Sequence, residues 1–308
     1  MDAIETMSQS KMDITTSGVA AWVKRHPLVA YFVLAFAGTW IFFAPILLSQ
    51  KGLGLISVPD TAAFVLFFLA TYTGPFLAAF VLTGMIDGKV GMRQLLRRIA
   101  QWRVGIRWYL IVLIGYPVIF LLGASVPLGM KPLNDLISKW PIIFTVYLSA
   151  VPIGLLLPSL GEETGWRGFA LPRLQQQYGP LVGSLILGTL HGVWHLPAYF
   201  IPGAILPGAF DLAVFMANTC AIIMSTIVWT WLFNNAKGSI LFAMFVHSTS
   251  NANSGFLPKL LDVRTGDPWF GFKVVGLCAL LIIALTRGRL SYHPDETAES
   301  SNTPLPEV

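Results

Sequence analysis

Residues 159–168 read SLGEETGWRG, two adjacent carboxylates and an arginine set directly behind the apolar run VYLSAVPIGLLLP at 146–158. A charged side chain at the centre of a bilayer costs ~2.5–3.5 kcal/mol on insertion scales, so such groups are usually paired or functional. On a helix Glu162 and Glu163 point about 100° apart, and one partner does not easily serve both. Arg167 follows Glu163 by four residues with the acid on the N-terminal side, the favoured order for a helical ion pair. Glu163–Arg167 therefore reads as structural support. The residue four beyond Glu162 is Trp166. Glu162 is thus a spare carboxylate, either a protonated structural carboxyl or a group with chemistry to do.

The rest of the chain places this segment in lipid. Of its 308 residues 55% are hydrophobic and 11% charged, against about 25% charged in soluble domains; the mean hydropathy is +0.68. Apolar runs on the scale of a bilayer span occupy 28–49, 61–86, 108–130, 140 to about 174, 180–200, 210–233, 239–256 and 269–286. The expected fold class is an all-α integral membrane protein, a bundle of about eight transmembrane helices with a polar intramembrane site. Residues 1–27 form a polar, mixed N-terminal segment with no small-residue cleavage site before the first apolar run, which reads as an anchor without a signal peptide. A multi-pass domain spans 28–288, and 289–308 lacks apolar periodicity and reads as a disordered tail. No internal repeat is visible. Cys220 and Cys278 fall inside apolar runs and read as buried, inert thiols.

Charge sets the orientation. With the N-terminus inside, Lys11, Lys24, Arg25, the six basic residues of 89–107, Arg167, Arg173, Lys237, Arg287 and Arg289 fall on one side, 14 of the 20 Lys and Arg. Lys51, Lys131, Lys139, Lys259, Arg264 and Lys273 fall on the other. By the positive-inside rule both termini are expected in the cytoplasm and the chain in the cell membrane. The segment KVGMRQLLRRIAQWRVGIRWY from Lys89 mixes Arg with Leu, Ile and Trp at near-helical spacing. It is expected as an amphipathic helix over 89–107 against anionic lipid head groups. The net charge of +5 follows from this topology; no basic stripe with interleaved stacking aromatics marks a nucleic-acid surface.

Two further polar clusters lie on apolar helices. His191 and His195 are four residues apart and share a face, as do His247 and Asn251. Each histidine taken singly also reads as a hydrogen bond between helices. If QQQYGPLVG is the turn of an antiparallel hairpin, Glu162 and His195 are equidistant from its fold point near 178–179. Both then lie up to about 24 Å from the turn, an upper limit because Pro172 is on the path. His247 and Asn251 lie about 13–20 Å in from Lys237 and Gly238. Three helices thus bring a carboxylate, imidazoles and an amide to comparable depth.

These motifs, EETGWR with His191–His195 and His247–Asn251 in that order, resemble the E-E-x-x-x-R, F-x-x-x-H and H-x-x-x-N signatures of the CPBP family. These are the CAAX-protease and bacteriocin-processing intramembrane peptidases, often labelled Abi. The similar region covers about 140–256. The resemblance implies an eight-helix membrane peptidase with a cavity open to the cytoplasm. It implies that Glu162 and His195 activate water, that His247 and Asn251 stabilise the oxyanion or bind metal, and that Glu163 and Arg167 support the site. Glu162, His195 and His247 are the ligand set if zinc (Zn2+) is present. His191 stands where the family usually has Phe, and is placed with the supporting residues.

The chemistry is plausible beside the family. Amide hydrolysis needs a base for water and donors where negative charge develops. Imidazole and carboxylate are zinc ligands that leave a position for water. HGVWH lacks the glutamate of H-E-x-x-H, so the base comes from another helix. An intramembrane endopeptidase acting on a peptide or membrane-protein substrate is the leading reading. A proton- or ion-coupled transporter also needs buried Glu and His, and an inactive immunity or scaffold protein of the same fold is a third.

Overall fold

The computed structural model describes residues 18–203, 209–262 and 267–294. Residues 1–17 with Lys11, 204–208, 263–266 with Arg264, and 295–308 lie outside the described residues. Within them the chain is helical, in chain order α1 (Pro27–Leu48), α2 (Asp60–Ile86), α3 (Gly88–Ile99), α4 (Ile106–Leu128), α5 (Lys131–Ser138), α6 (Ile143–Tyr178), α7 (Pro180–Trp194), α8 (Leu196–Tyr199), α9 (Leu212–Asn235), α10 (Ile240–Leu261) and α11 (Phe270–Thr286). Among the described residues, α1, α2, α4, α6 and α9 are long and apolar enough to cross a membrane, and α7 and α11 are shorter apolar helices. The seventh run, α10, is long but carries the polar stretch HSTSNANS. Large side chains face outward along these rods, with Val126 86% and Leu285 84% exposed. A surface of that chemistry belongs against lipid tails. The fold is a multi-pass helical membrane bundle.

The two longest rods are not regular. α2 widens into a π turn at Tyr72–Phe76, and α6 does so at Ile143–Leu148, Leu155–Ser159 and Trp166–Ala170. Pro75 and Pro158 lie inside two of these turns, and Pro152 lies between the first two turns of α6. Each proline lacks an N–H and clashes with the carbonyl four residues back, so the helix adjusts locally. The Tyr72 hydroxyl donates to the carbonyls of Leu156 and Leu157, at 2.5 and 3.1 Å, and stitches one π turn to the other.

α6 and α7 form an antiparallel hairpin at Gly179, whose φ of 78° favours a residue without Cβ. α7 then lies on α9 at close range, because a Cβ at Gly188 would come within 2.7 Å of the Ile223 backbone. The main core gathers around Trp166, with Tyr31, Phe169, Leu171, Leu174 and Leu187. A second cluster packs Trp108, Tyr116 and Trp229 against Phe242 and Val246 of α10. The amphipathic helix α3 seats Leu95 between Ile240 and Met244 and exposes Leu96. Cys220 and Cys278 are free thiols, half-buried rather than buried. After α11, Leu290 is fully buried against Ile227 and Ala279, and the Asn234 amide donates to its carbonyl at 2.9 Å.

Candidate active site

The two carboxylates of α6 are both buried and face different neighbours. Oε1 of Glu163 accepts from Nη1 of Arg167 at 3.0 Å and from Nδ1 of His247, on α10, at 2.8 Å. Glu163 and Arg167 have no exposed side-chain surface. The helical ion pair expected from spacing is therefore formed, with a second donor arriving from another helix. The Arg167 guanidinium also lies over the Trp229 ring, 4.8 Å from its centroid, and Trp229 donates its indole N–H to the Tyr116 hydroxyl at 2.6 Å. A cation over an indole face is favourable where water is excluded.

Glu162 turns to α7. Its Oε2 is 2.9 Å from Nε2 of His191. His195, the residue after α7, lies 2.9 Å by Nδ1 from the His191 carbonyl. A carbonyl only accepts, so Nδ1 of His195 carries a proton, and whenever the ring is neutral its Nε2 presents a lone pair. Ligand atoms of Glu162, His191 and His195 lie within 4.8 Å of one another.

This placement differs from the equal count about the turn, which sets His195 level with Glu162. The hydrogen-bonded partner is His191, one turn nearer Gly179. The π turn at Trp166–Ala170 stands between Glu162 and the fold point. A π turn holds more residues than an α turn, so α6 advances less along its axis than 16 α-helical residues would. The matching residue on regular α7 is then closer to the turn. The ligand grouping shifts in the same way: His191 joins Glu162 and His195, while His247 is bonded to Glu163. Ring contacts with Trp166 and Trp194, centroids 5.0 and 6.0 Å away, frame His191.

Glu162, His191, His195, His247 and Asn251 all line one cavity of about 830 Å³. This is within the range of small-molecule sites, ~300–1,000 Å³. Its lining includes the aromatic Phe64, Phe67, Phe68 and Tyr72 of α2. It also includes Asn218 and Ser225 of α9 with Ser250 and Ser254 of α10. Asn251, one turn past His247, is exposed to this space. Trp229 and Tyr116 escape a sequence reading, because no spacing rule links α4, α9 and α6.

The donor set of two imidazole nitrogens and a carboxylate oxygen suits zinc. The bond from His195 Nδ1 to a carbonyl is the kind of second contact that orients a ligand imidazole. The residues therefore fit a metal of this class.

Residues 139–253 match the family model described as Type II CAAX prenyl endopeptidase Rce1-like. The chain is also 24% identical over 241 residues to the CAAX prenyl protease 2 of Methanococcus maripaludis, an alignment covering 77% of this chain and 84% of that protein. The matched core contains Glu162, Glu163, Arg167, His191, His195, His247 and Asn251, and over it the chain is similar to type II CAAX prenyl endopeptidases.

Proposed function

We propose that the chain hydrolyses a peptide bond of a membrane-associated polypeptide with water activated by Glu162 and His195. The observation that carries this reading is the convergence of Glu162, His191 and His195 within 4.8 Å on the wall of a cavity that His247 and Asn251 also line. Glu162 accepts the proton of the attacking water while His191 holds the carboxylate in place. Nε2 of His195, aimed by the Nδ1 bond, orients the same water. As negative charge develops on the carbonyl oxygen, His247 and the Asn251 amide donate to it. In the cationic form His247 keeps Nδ1–H on Glu163 and offers Nε2–H to the oxyanion, so Glu163 and Arg167 act by setting that ring. Glu162, His191 and His195 would hold a zinc ion, which when bound supplies Lewis-acid polarisation of water.

The name of the Methanococcus maripaludis relative suggests a substrate class, a prenylated CAAX C-terminus. Support comes from the aromatic lining of the cavity, where an apolar tether has surface to cover. The basic, amphipathic α3 and the asymmetry of charge support a site entered from the cytoplasm, with both termini on that side. The test is cleavage of prenylated and unprenylated CAAX peptides, and of leader peptides, by the purified protein in lipid nanodiscs. Cleavage of the prenylated peptide by the wild type, with none by Glu162→Gln, is the expected result. Equal cleavage by both proteins overturns the assignment.

A further inference from the structure

The basic residues of α3 read as surface charge, but Arg98 turns inward. Its Nε donates to the Gly238 carbonyl at 2.9 Å, Nη1 to that of Gly168 at 3.0 Å and Nη2 to that of Arg167 at 3.1 Å. The guanidinium also lies 5.6 Å from the Phe233 ring centroid. Two of these acceptors belong to the π turn Trp166–Ala170, and the third to the turn between α9 and α10, where Gly238 has a φ of 70°. Five N–H donors in a fixed planar fork allow one side chain to satisfy such a set, and an ammonium does not reproduce it. Burial, then the charge of Arg173, push this guanidinium down to about 10, so it stays cationic at neutral pH.

The bonded segments both lead to the site. Arg167, whose carbonyl Arg98 holds, pairs through its side chain with Glu163. Gly238 lies just before α10, which carries His247 two turns on. Beside the fork, Leu95, Ile240 and Met244 close the seam. A Cβ at Gly168 would come within 3.0 Å of Ile240 and 3.1 Å of Leu95, so the seam has little slack.

The geometry points to Arg98 as a positioning residue of the hydrolytic site: it clamps the π turn of α6 to the start of α10, and so holds Glu163 against His247. This inference rests on the peptidase reading of that site. A displacement of about 1 Å at reacting groups is enough to cost ~100-fold in rate.

The experiment uses the full chain in lipid nanodiscs, with Arg98→Gln, Arg98→Lys and Arg98→Ala. The control is Arg93→Gln, an exposed position on the same helix. Turnover and KM are read on a cleaved peptide, and hydrogen exchange on peptides covering 163–172 and 240–248. Arg98→Gln is expected to lower kcat ~10- to 100-fold with KM unchanged, a lowered melting temperature and faster exchange in both peptides. Arg98→Lys recovers part of kcat, and added methylguanidine recovers activity in Arg98→Ala. Wild-type kcat and exchange in Arg98→Gln overturn the inference, and so does a loss of folding shared by all three variants without rescue. Hydrolysis that survives Glu162→Gln overturns the peptidase site instead, and the exchange readout still decides whether Arg98 holds the two segments.

Discussion

Replacing Glu162 by glutamine keeps the size of the side chain and an oxygen that accepts from His191, but removes the base. Turnover is expected to fall ~100- to 10,000-fold while expression and melting temperature stay at wild type; purified protein assayed on peptide checks it. Near-normal turnover makes Glu162 a structural carboxyl and favours ion transport. Glu163 and Arg167 behave differently, because each is buried with the other. Arg167→Leu leaves a carboxylate without its strongest partner, and a buried pair broken on one side loses ~3–5 kcal/mol. The folded yield and melting temperature of that variant report the loss. His191→Phe installs the residue common in the family and deletes the 2.9 Å contact to Glu162. Metal analysis of the purified protein is expected to show less zinc per chain in His191→Phe and His195→Ala than in Asn251→Ala. Equal zinc in all three removes His191 and His195 from the ligand set.

At the scale of the element, the irregular turns of α6 decide where its carboxylates point. Gly165 is where α6 packs tightly against α1 and α2: a Cβ there would lie 2.3 Å from the Tyr31 hydroxyl and 2.4 Å from the Pro75 carbonyl. The second of these is backbone and has little room to yield. Gly165→Ala is therefore expected to lose ~1–3 kcal/mol by overpacking and to lower turnover in the fraction that folds, since Glu162 and Glu163 precede it by three and two residues. Gly115→Ala on α4 meets nothing within 4 Å and is expected to melt as the wild type. Similar melting of both variants would show that the crossing has slack.

At the scale of the whole molecule, the basic asymmetry predicts α3 and both termini on the cytoplasmic side. Cysteine labelling that reaches α3 only from outside the cell would reverse the bundle and its cavity. Residue composition and apolar run length were enough to read a multi-pass helical protein, because lipid demands long apolar helices whatever their partners. The spacing of Glu163 and Arg167 was enough to read an ion pair, because a helical repeat is local. Three polar clusters at similar depth pointed to the site residues, and family likeness to their chemistry. Register was a different matter. Whether His191 or His195 meets Glu162 depends on how far α6 advances per residue, and π turns change that advance without a spacing signal of their own. The pairing of His247 with Glu163, the stacking of Arg167 on Trp229 and the inward fork of Arg98 join helices remote in sequence. Such contacts depend on crossing distances fixed by glycines and prolines acting together, so they exist only once the bundle has packed.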